Sequence, residues 1–104
     1  MFPAAGLGIS KTSHAEEIKF LFFENILFDG VIPALMVGSL TQPHLPPDNP
    51  DGLVAPDIIM TGSDSVFLNG IIPCPFMGSS LNHGKSDDEK LRIISGIDNV
   101  IIGL

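Results

Sequence analysis

The stretch Gly70-Ile71-Ile72-Pro73-Cys74-Pro75-Phe76-Met77-Gly78-Ser79-Ser80-Leu81-Asn82-His83 contains the only cysteine of the 104-residue chain and one of its three histidines. Two other stretches share its outline, one from Gly30 through Pro33 to His44 and one from Pro3 to His14. The proline precedes the histidine by eleven positions in those two and by ten in the quoted stretch. Every histidine therefore occupies the same place in a threefold internal repeat.

A repeat of this size cannot bury its apolar face alone, so its copies must pack against one another. Three short copies predict pseudo-threefold packing, in which equivalent side chains converge. Thirty residues separate Pro3 from Pro33, whereas forty separate Pro33 from Pro73. The difference is accounted for by an insertion, Leu45 to Asp57, whose prolines and aspartates predict an extended, exposed loop without secondary structure.

Composition limits the classes of function. The length fits one domain, residues 1–104. The net charge of -7 and the absence of a basic cluster argue against a nucleic-acid partner. The N-terminus lacks the pattern of a secretory signal, and the most apolar stretch, Phe20 to Leu27, is too short and too polar for a membrane-spanning helix. A hydrophobic content of 44% exceeds what so small a core needs, so part of the apolar surface is expected to face a partner.

Nine prolines and eleven glycines interrupt every helical pattern, so the sequence predicts an all-β fold. Asn69-Gly70 and Asp29-Gly30 each lie between two apolar runs, which is the pattern of a tight β-hairpin. Each hairpin runs into an Ile-Pro pair, where regular strand pairing ends. Asp98 to Leu104 resembles a third copy that stops after its strand.

The remaining segments give weaker patterns. Ile18 to Phe23 is interpreted as a strand with Ile18, Phe20 and Phe22 on one face, after a possible single helical turn at Ala15 to Glu17. Gly84 to Lys90 is interpreted as a polar loop that leads into a final strand segment, Leu91 to Ser95.

Three imidazoles and one thiolate form a common tetrahedral zinc set. The candidate ligands are His14, His44, His83 and Cys74, and Cys74 takes the repeat position that alanine holds in the other two copies. Four protein ligands leave no open position for water, so such a zinc would be structural. Taken singly, each histidine could be an ordinary surface or core residue, and Cys74 a small buried hydrophobe. The shared repeat position favours the metal site.

The repeats resemble those of PAAR-repeat proteins, a family named for its Pro-Ala-Ala-Arg motif. Pro3-Ala4-Ala5-Gly6 is the nearest match, and the wider family pattern resembles Gly62 to Pro73, with one extra residue before Pro73. The motif arginine is missing from all three copies. Members of this family form a small β-rich cone with a zinc-binding tip, held by three histidines and a cysteine, and a flat base that caps the trimeric β-helical spike of contractile injection machines such as phage tails and type VI secretion systems.

The resemblance implies that His14, His44, Cys74 and His83 bind one structural zinc at the tip of a pseudo-threefold all-β cone. It also implies a trimeric β-helical spike as partner, with one tip per trimer, transient contact with a target membrane and outward delivery of a protein made in the cytoplasm. No enzymatic activity is expected. Two alternatives remain at this point: a small zinc hydrolase in which three of the four residues bind the metal, and a metal-free β adaptor that binds a protein through an apolar patch.

Overall fold

β-Strands are the only regular secondary structure in the described part of the chain, which comprises residues 2–47, 52, 54–84 and 86–102 of a computed structural model. The all-β prediction is therefore confirmed. The described strands are β1 (Phe2–Ala4), β2 (Ile18–Phe28), β3 (Ile32–Thr41), β4 (Asp57–Ile59), β5 (Phe67–Leu68), β6 (Ile72–Pro73), β7 (Ser80–His83), β8 (Ser86–Arg92) and β9 (Ile97–Ile102).

The two predicted hairpins are present. Strand β2 pairs with β3 around Asp29-Gly30, and β5 pairs with β6 around Asn69-Gly70. All four turn residues have positive φ: 53° at Asp29, 73° at Gly30, 53° at Asn69 and 74° at Gly70. This is the turn that matches the twist of the flanking strands, and it favours asparagine, aspartate and glycine.

The third copy of the hairpin has no turn, because its two strands come from opposite ends of the described chain. We count this strand pair with the two hairpins. Strand β9, within the segment predicted as a truncated third copy, pairs antiparallel with β1. Residues 103 and 104 of that segment lie outside the described residues. Each copy pairs an exposed apolar residue with its repeat proline: Leu27 with Pro33, Phe67 with Pro73 and Ile101 with Pro3. The residue that follows the exposed one is buried in two copies (Leu68 and Ile102) and partly buried in the other (Phe28). The three copies therefore share one pairing register.

Buried hydrogen bonds repeat in the same way. A serine hydroxyl in each copy accepts a hydrogen bond from a backbone N–H three or four residues earlier: Gly6 to Ser10 (3.1 Å), Met36 to Ser39 (2.9 Å) and Phe76 to Ser79 (3.0 Å). Backbone hydrogen bonds also join different copies, from Met77 N to Pro3 O at 2.7 Å and from Leu7 N to Pro33 O at 3.0 Å. The repeat in sequence is thus a pseudo-threefold repeat in space.

Two clusters of buried side chains form the core. One contains Ala4, Ala34, Leu68, Cys74 and Ile102, and it lies against the short hairpins. The other contains Ala5, Ile18, Leu35, Ile59, Leu81, Leu91 and Ile93, and it lies against a five-stranded sheet of order β2-β3-β4-β7-β8. None of the described residues forms a helix long and apolar enough to cross a membrane.

Three details differ from the sequence-based expectations. Ile18 is buried but Phe20 is 43% exposed, because Leu21 has a positive φ of 60° and the pairing register shifts there. The expected helical turn is absent from residues 15–17, where Ala15 has a φ of 62°. Most of the expected loop at 84–90 belongs to β8, which pairs with β7, although residue 85 lies outside the described residues.

The inserted segment is also more ordered at its ends than the sequence suggests. His44 and Ala55 exchange two backbone hydrogen bonds at 3.1 Å. Asp57, assigned from sequence to the exposed loop, is the fully buried first residue of β4. Residues 48–51 and 53 of the predicted loop lie outside the described residues. The insertion therefore ends in the central sheet, where Asp57 is the first residue of β4.

Candidate metal centre

The three histidines lie together, as the repeat predicted. His14 follows a bridge between Thr12 and Ile93, His44 lies on the bridge to Ala55, and His83 is the last residue of β7. Their ring centroids are separated by 5.4 Å (His14 to His44), 5.4 Å (His14 to His83) and 5.0 Å (His44 to His83). Equivalent repeat positions therefore converge on one point.

The fourth member of the cluster is Asp57. Antiparallel pairing of β4 with β7 places Asp57 directly opposite His83. One carboxylate oxygen, Oδ1, lies 3.1 Å from Nδ1 of His14 and 2.8 Å from Nδ1 of His83, and the other, Oδ2, lies 3.3 Å from Nε2 of His44. The Asp57 side chain is fully buried, and the histidine side chains are 5–11% exposed.

Two threonines hold Asp57 in place. The Thr12 hydroxyl donates a hydrogen bond to Oδ2 of Asp57 at 2.9 Å and accepts one from the backbone N–H of His14 at 3.1 Å. The Asp57 backbone N–H donates to the Thr41 hydroxyl at 2.9 Å. Bonds of this kind around a ligand fix its orientation before any ion arrives.

The hydrogen bonding of His44 indicates which of its two ring nitrogens carries a proton and which can offer a lone pair to the cluster. Its Nδ1 lies 2.8 Å from the backbone carbonyl of Gln42, which can only accept a hydrogen bond, so Nδ1 carries the proton. With that proton on Nδ1, Nε2 is the nitrogen that faces the cluster and can offer a lone pair. That is the tautomer a metal ligand requires, and a carbonyl partner on the other nitrogen is typical of metal-binding histidines.

The arrangement has the dimensions of a metal site. Four donor atoms at about 2.0 Å from a tetrahedral ion are separated from one another by about 3.3 Å. Oδ1 of Asp57 lies 2.8 Å from Nδ1 of His83 and 3.1 Å from Nδ1 of His14, whereas the contact of 3.3 Å with Nε2 of His44 is made by Oδ2. Nδ1 of His14 lies 3.2 Å from Nε2 of His44. One ligand atom from each of the four residues lies within 4.8 Å of the other three. His14, His44, Asp57 and His83 can therefore hold a metal ion.

Cys74, the fourth ligand expected from sequence, lies elsewhere. It is 1% exposed in the core cluster with Ala4 and Ala34, the residues at the same repeat position. Burial raises the pKa of its thiol from 9.0 to about 11, which disfavours the thiolate that would bind a metal. The described structure brings together the three predicted histidines and substitutes a carboxylate for the predicted thiolate.

Sequence reasoning missed Asp57 because the proline-rich composition around it predicted a solvated loop. The alternation of Asp57-Ile58-Ile59 contained a usable signal, since residues two apart on a strand share a face. Asp57 and Ile59 are both fully buried, whereas Ile58 is only partly buried. An aspartate on the buried face of a strand has a strong need for polar partners.

Comparisons with known proteins add no further assignment, since no family model, curated protein or solved structure matches the chain.

Proposed function

We propose that this chain is a non-enzymatic spike tip of the PAAR type, which caps a trimeric β-helical spike of a contractile injection machine and is pinned by one structural zinc. The observation that carries the proposal is the set of three hairpins in one register, each of which exposes an apolar side chain at the same position. This internal threefold repeat suits a partner with threefold symmetry.

The apolar side chain opposite the repeat proline is exposed to nearly the same extent in the three copies. Leu27 is 46% exposed, Phe67 is 46% exposed and Ile101 is 48% exposed. Next to the two described turns, Val31 is 73% exposed and Ile71 is 80% exposed. We call these five residues the hairpin face. Apolar groups that recur at equivalent exposed positions favour a protein-binding surface, since a monomer gains no stability from them there.

Symmetry explains why one chain would serve three subunits. A trimer presents three identical apolar patches around its axis, and a single chain with three equivalent hairpins can contact all three patches alike. The hairpins share the core cluster of Leu68 and Ile102, which holds them side by side. This geometry supports one tip per trimer.

The metal centre lies at the other end of the longest hairpin from its turn. Strand β3 begins beside the turn at Asp29-Gly30 and ends at Thr41, three residues before His44. The molecule measures 40 Å along its longest axis and 23 Å along each of the other two. A metal that links His14, His44 and His83 would stiffen this end of the molecule. A stiff point concentrates the force of contraction on a small area of a target membrane.

The buried donors favour a structural role for the metal over a catalytic one. A catalytic zinc keeps a position open for water or substrate, whereas a structural zinc is enclosed by four protein ligands. Asp57 supplies a fourth donor and is fully buried, so it is poorly placed to activate water as a general base.

Stoichiometry of a complex tests the proposal. The chain is co-expressed with a trimeric β-helical spike protein from the same genome, and the complex is measured by light scattering after size exclusion. We expect one chain per three spike subunits. A mixture that stays separate, or a complex with three chains per trimer, would contradict the proposal.

Matched substitutions locate the contact. Phe67→Asp should abolish the complex, because it places a charge in an apolar interface. Met60→Asp is the control, since Met60 is also 46% exposed but is not part of the hairpin face. Equal loss of binding in both variants would show that the hairpin face is not the docking surface.

A further inference from the structure

We propose that the metal centre is free of thiolate: Asp57 is its anionic ligand, and the bound ion is a borderline divalent cation held by three imidazoles and one carboxylate, independent of Cys74. This inference rests on the metal centre of the proposed function and on no part of the spike complex. It assigns the donor set and the class of ion that this donor set accepts.

The charge around Asp57 supports its role as a ligand. In the described structure, the groups that contact its carboxylate are the three imidazoles and the Thr12 hydroxyl. No lysine or arginine of the described residues pairs with it. A fully buried carboxylate needs hydrogen-bond donors or a positive charge beside it, and a divalent ion at the centre of the four donors would supply that charge while the imidazoles bind the ion through their lone pairs.

Cys74 is fixed away from the histidines by its own backbone. Its N–H donates to the carbonyl of Val66 at 2.9 Å, and its carbonyl accepts from the N–H of Ser63 at 2.9 Å. The side chain packs where Ala4 and Ala34 pack in the other copies. To reach the histidine cluster, Cys74 would have to leave the pseudo-threefold core and break both hydrogen bonds. The cysteine therefore serves as a small apolar residue.

Replacement of a thiolate by a carboxylate changes the metal preference without changing the ligand charge. Thiolate selects soft ions, whereas imidazole and carboxylate together suit Zn²⁺, Co²⁺ and Fe²⁺. A site of this composition also contains no sulfur to oxidise or alkylate. The bound metal should therefore survive thiol reagents and oxidants that strip zinc from cysteine-containing sites.

Cobalt substitution tests the donor set directly. Metal-free protein without a histidine tag is titrated with Co²⁺, and its absorption spectrum is recorded. We expect the visible bands of tetrahedral cobalt without the intense near-ultraviolet sulfur-to-cobalt band. A sulfur-to-cobalt band would overturn the inference while leaving the spike tip intact. Failure to bind any cobalt would also overturn it, and the spike stoichiometry would then decide the proposed function separately.

Two substitutions provide an independent measurement of the same claim. Cys74→Ala, which restores the alanine of the other copies, should bind Co²⁺ with unchanged affinity and an unchanged spectrum. Asp57→Asn keeps the size of the side chain and should lower the affinity at least about tenfold. Loss of cobalt in Cys74→Ala, or full affinity in a folded Asp57→Asn, would overturn the inference. If Asp57→Asn does not fold, Cys74→Ala and the spectrum of the unmodified protein still decide it.

Discussion

At the scale of single residues, Cys74 and Asp57 exchange the roles that their chemistry alone would suggest. Cysteine is the stronger zinc ligand, yet Cys74 lies in an apolar core that raises the pKa of its thiol to about 11. Asp57 is fully buried among imidazoles and hydroxyl groups. The surroundings of each side chain, and not its intrinsic affinity for metals, decide which of the two can contribute to the site.

The raised pKa of Cys74 predicts a loss of stability in alkaline solution. The folded state favours the neutral thiol. The contribution of Cys74 to the free energy of unfolding is therefore complete below the unfolded pKa of 9.0 and is lost as the pH rises towards the folded pKa of about 11. Between about pH 8 and about pH 10.5, the free energy of unfolding should fall by about 2 kcal/mol from this group. Urea unfolding at both pH values measures the fall.

Cys74→Ala is the control for this prediction, because it removes the titrating group and leaves the other ionisable residues. The variant should lose about 2 kcal/mol less than the unmodified protein over the same pH interval. An identical loss in both proteins would mean that Cys74 is not buried as described.

At the scale of elements, the hairpin turns explain why the three copies share a register. Asp29-Gly30 and Asn69-Gly70 fix the pairing of their strands through positive φ, and the register then determines which residue is exposed. A one-residue slip would bury Phe67 and expose Leu68. In each of these two hairpins, the two turn residues therefore determine which apolar side chains of the strands are exposed.

The turn at Asn69-Gly70 predicts a specific order of stabilities. A Cβ added at Gly70 would meet no atom within 4 Å, so any cost of substitution comes from the backbone, whose φ is +74°. Gly70→Ala should lower the free energy of unfolding by about 1 kcal/mol, and Gly70→Asn by less, because asparagine tolerates this conformation. Chemical denaturation measures both. Equal stability of Ala and Asn variants would contradict the assigned turn.

The elements also show which parts of the structure could be predicted from sequence. Asn-Gly and Asp-Gly turns depend on neighbouring residues only, so both hairpins were predictable. The contact of Asp57 with His83 depends on the pairing of β4 with β7, across 26 positions in sequence, and no local pattern specifies it. Cys74 was predicted as the fourth ligand from its residue type, whereas the structure places it in the core cluster with Ala4 and Ala34, the alanines at its repeat position.

At the scale of the whole molecule, the threefold repeat separates two tasks. Equivalent hairpins present apolar side chains at one end of the longest hairpin, and equivalent histidines converge beyond its other end. The repeat thereby produces both a set of equivalent exposed apolar side chains and a cluster of three histidines that could bind a metal ion. Asp57, which comes from the insertion, completes the set with the single negative charge that the repeat itself does not supply.

Metal bound at the histidines should make the stability of the fold depend on the metal. Removal of the ion by a chelator should lower the temperature of unfolding, because the bound metal links His14, His44 and His83. Circular dichroism during thermal unfolding, with and without chelator at constant pH, measures the change. An unfolding temperature that the chelator does not alter would contradict a structural metal.

The most direct test is the metal content of the purified protein. The chain is expressed without a histidine tag, freed of loosely bound ions and analysed for its elements. A structural metal held by His14, His44, Asp57 and His83 predicts about one zinc, or one equivalent of a similar divalent ion, per chain. Folded protein that contains no metal, and takes up none when zinc is added, would contradict the account.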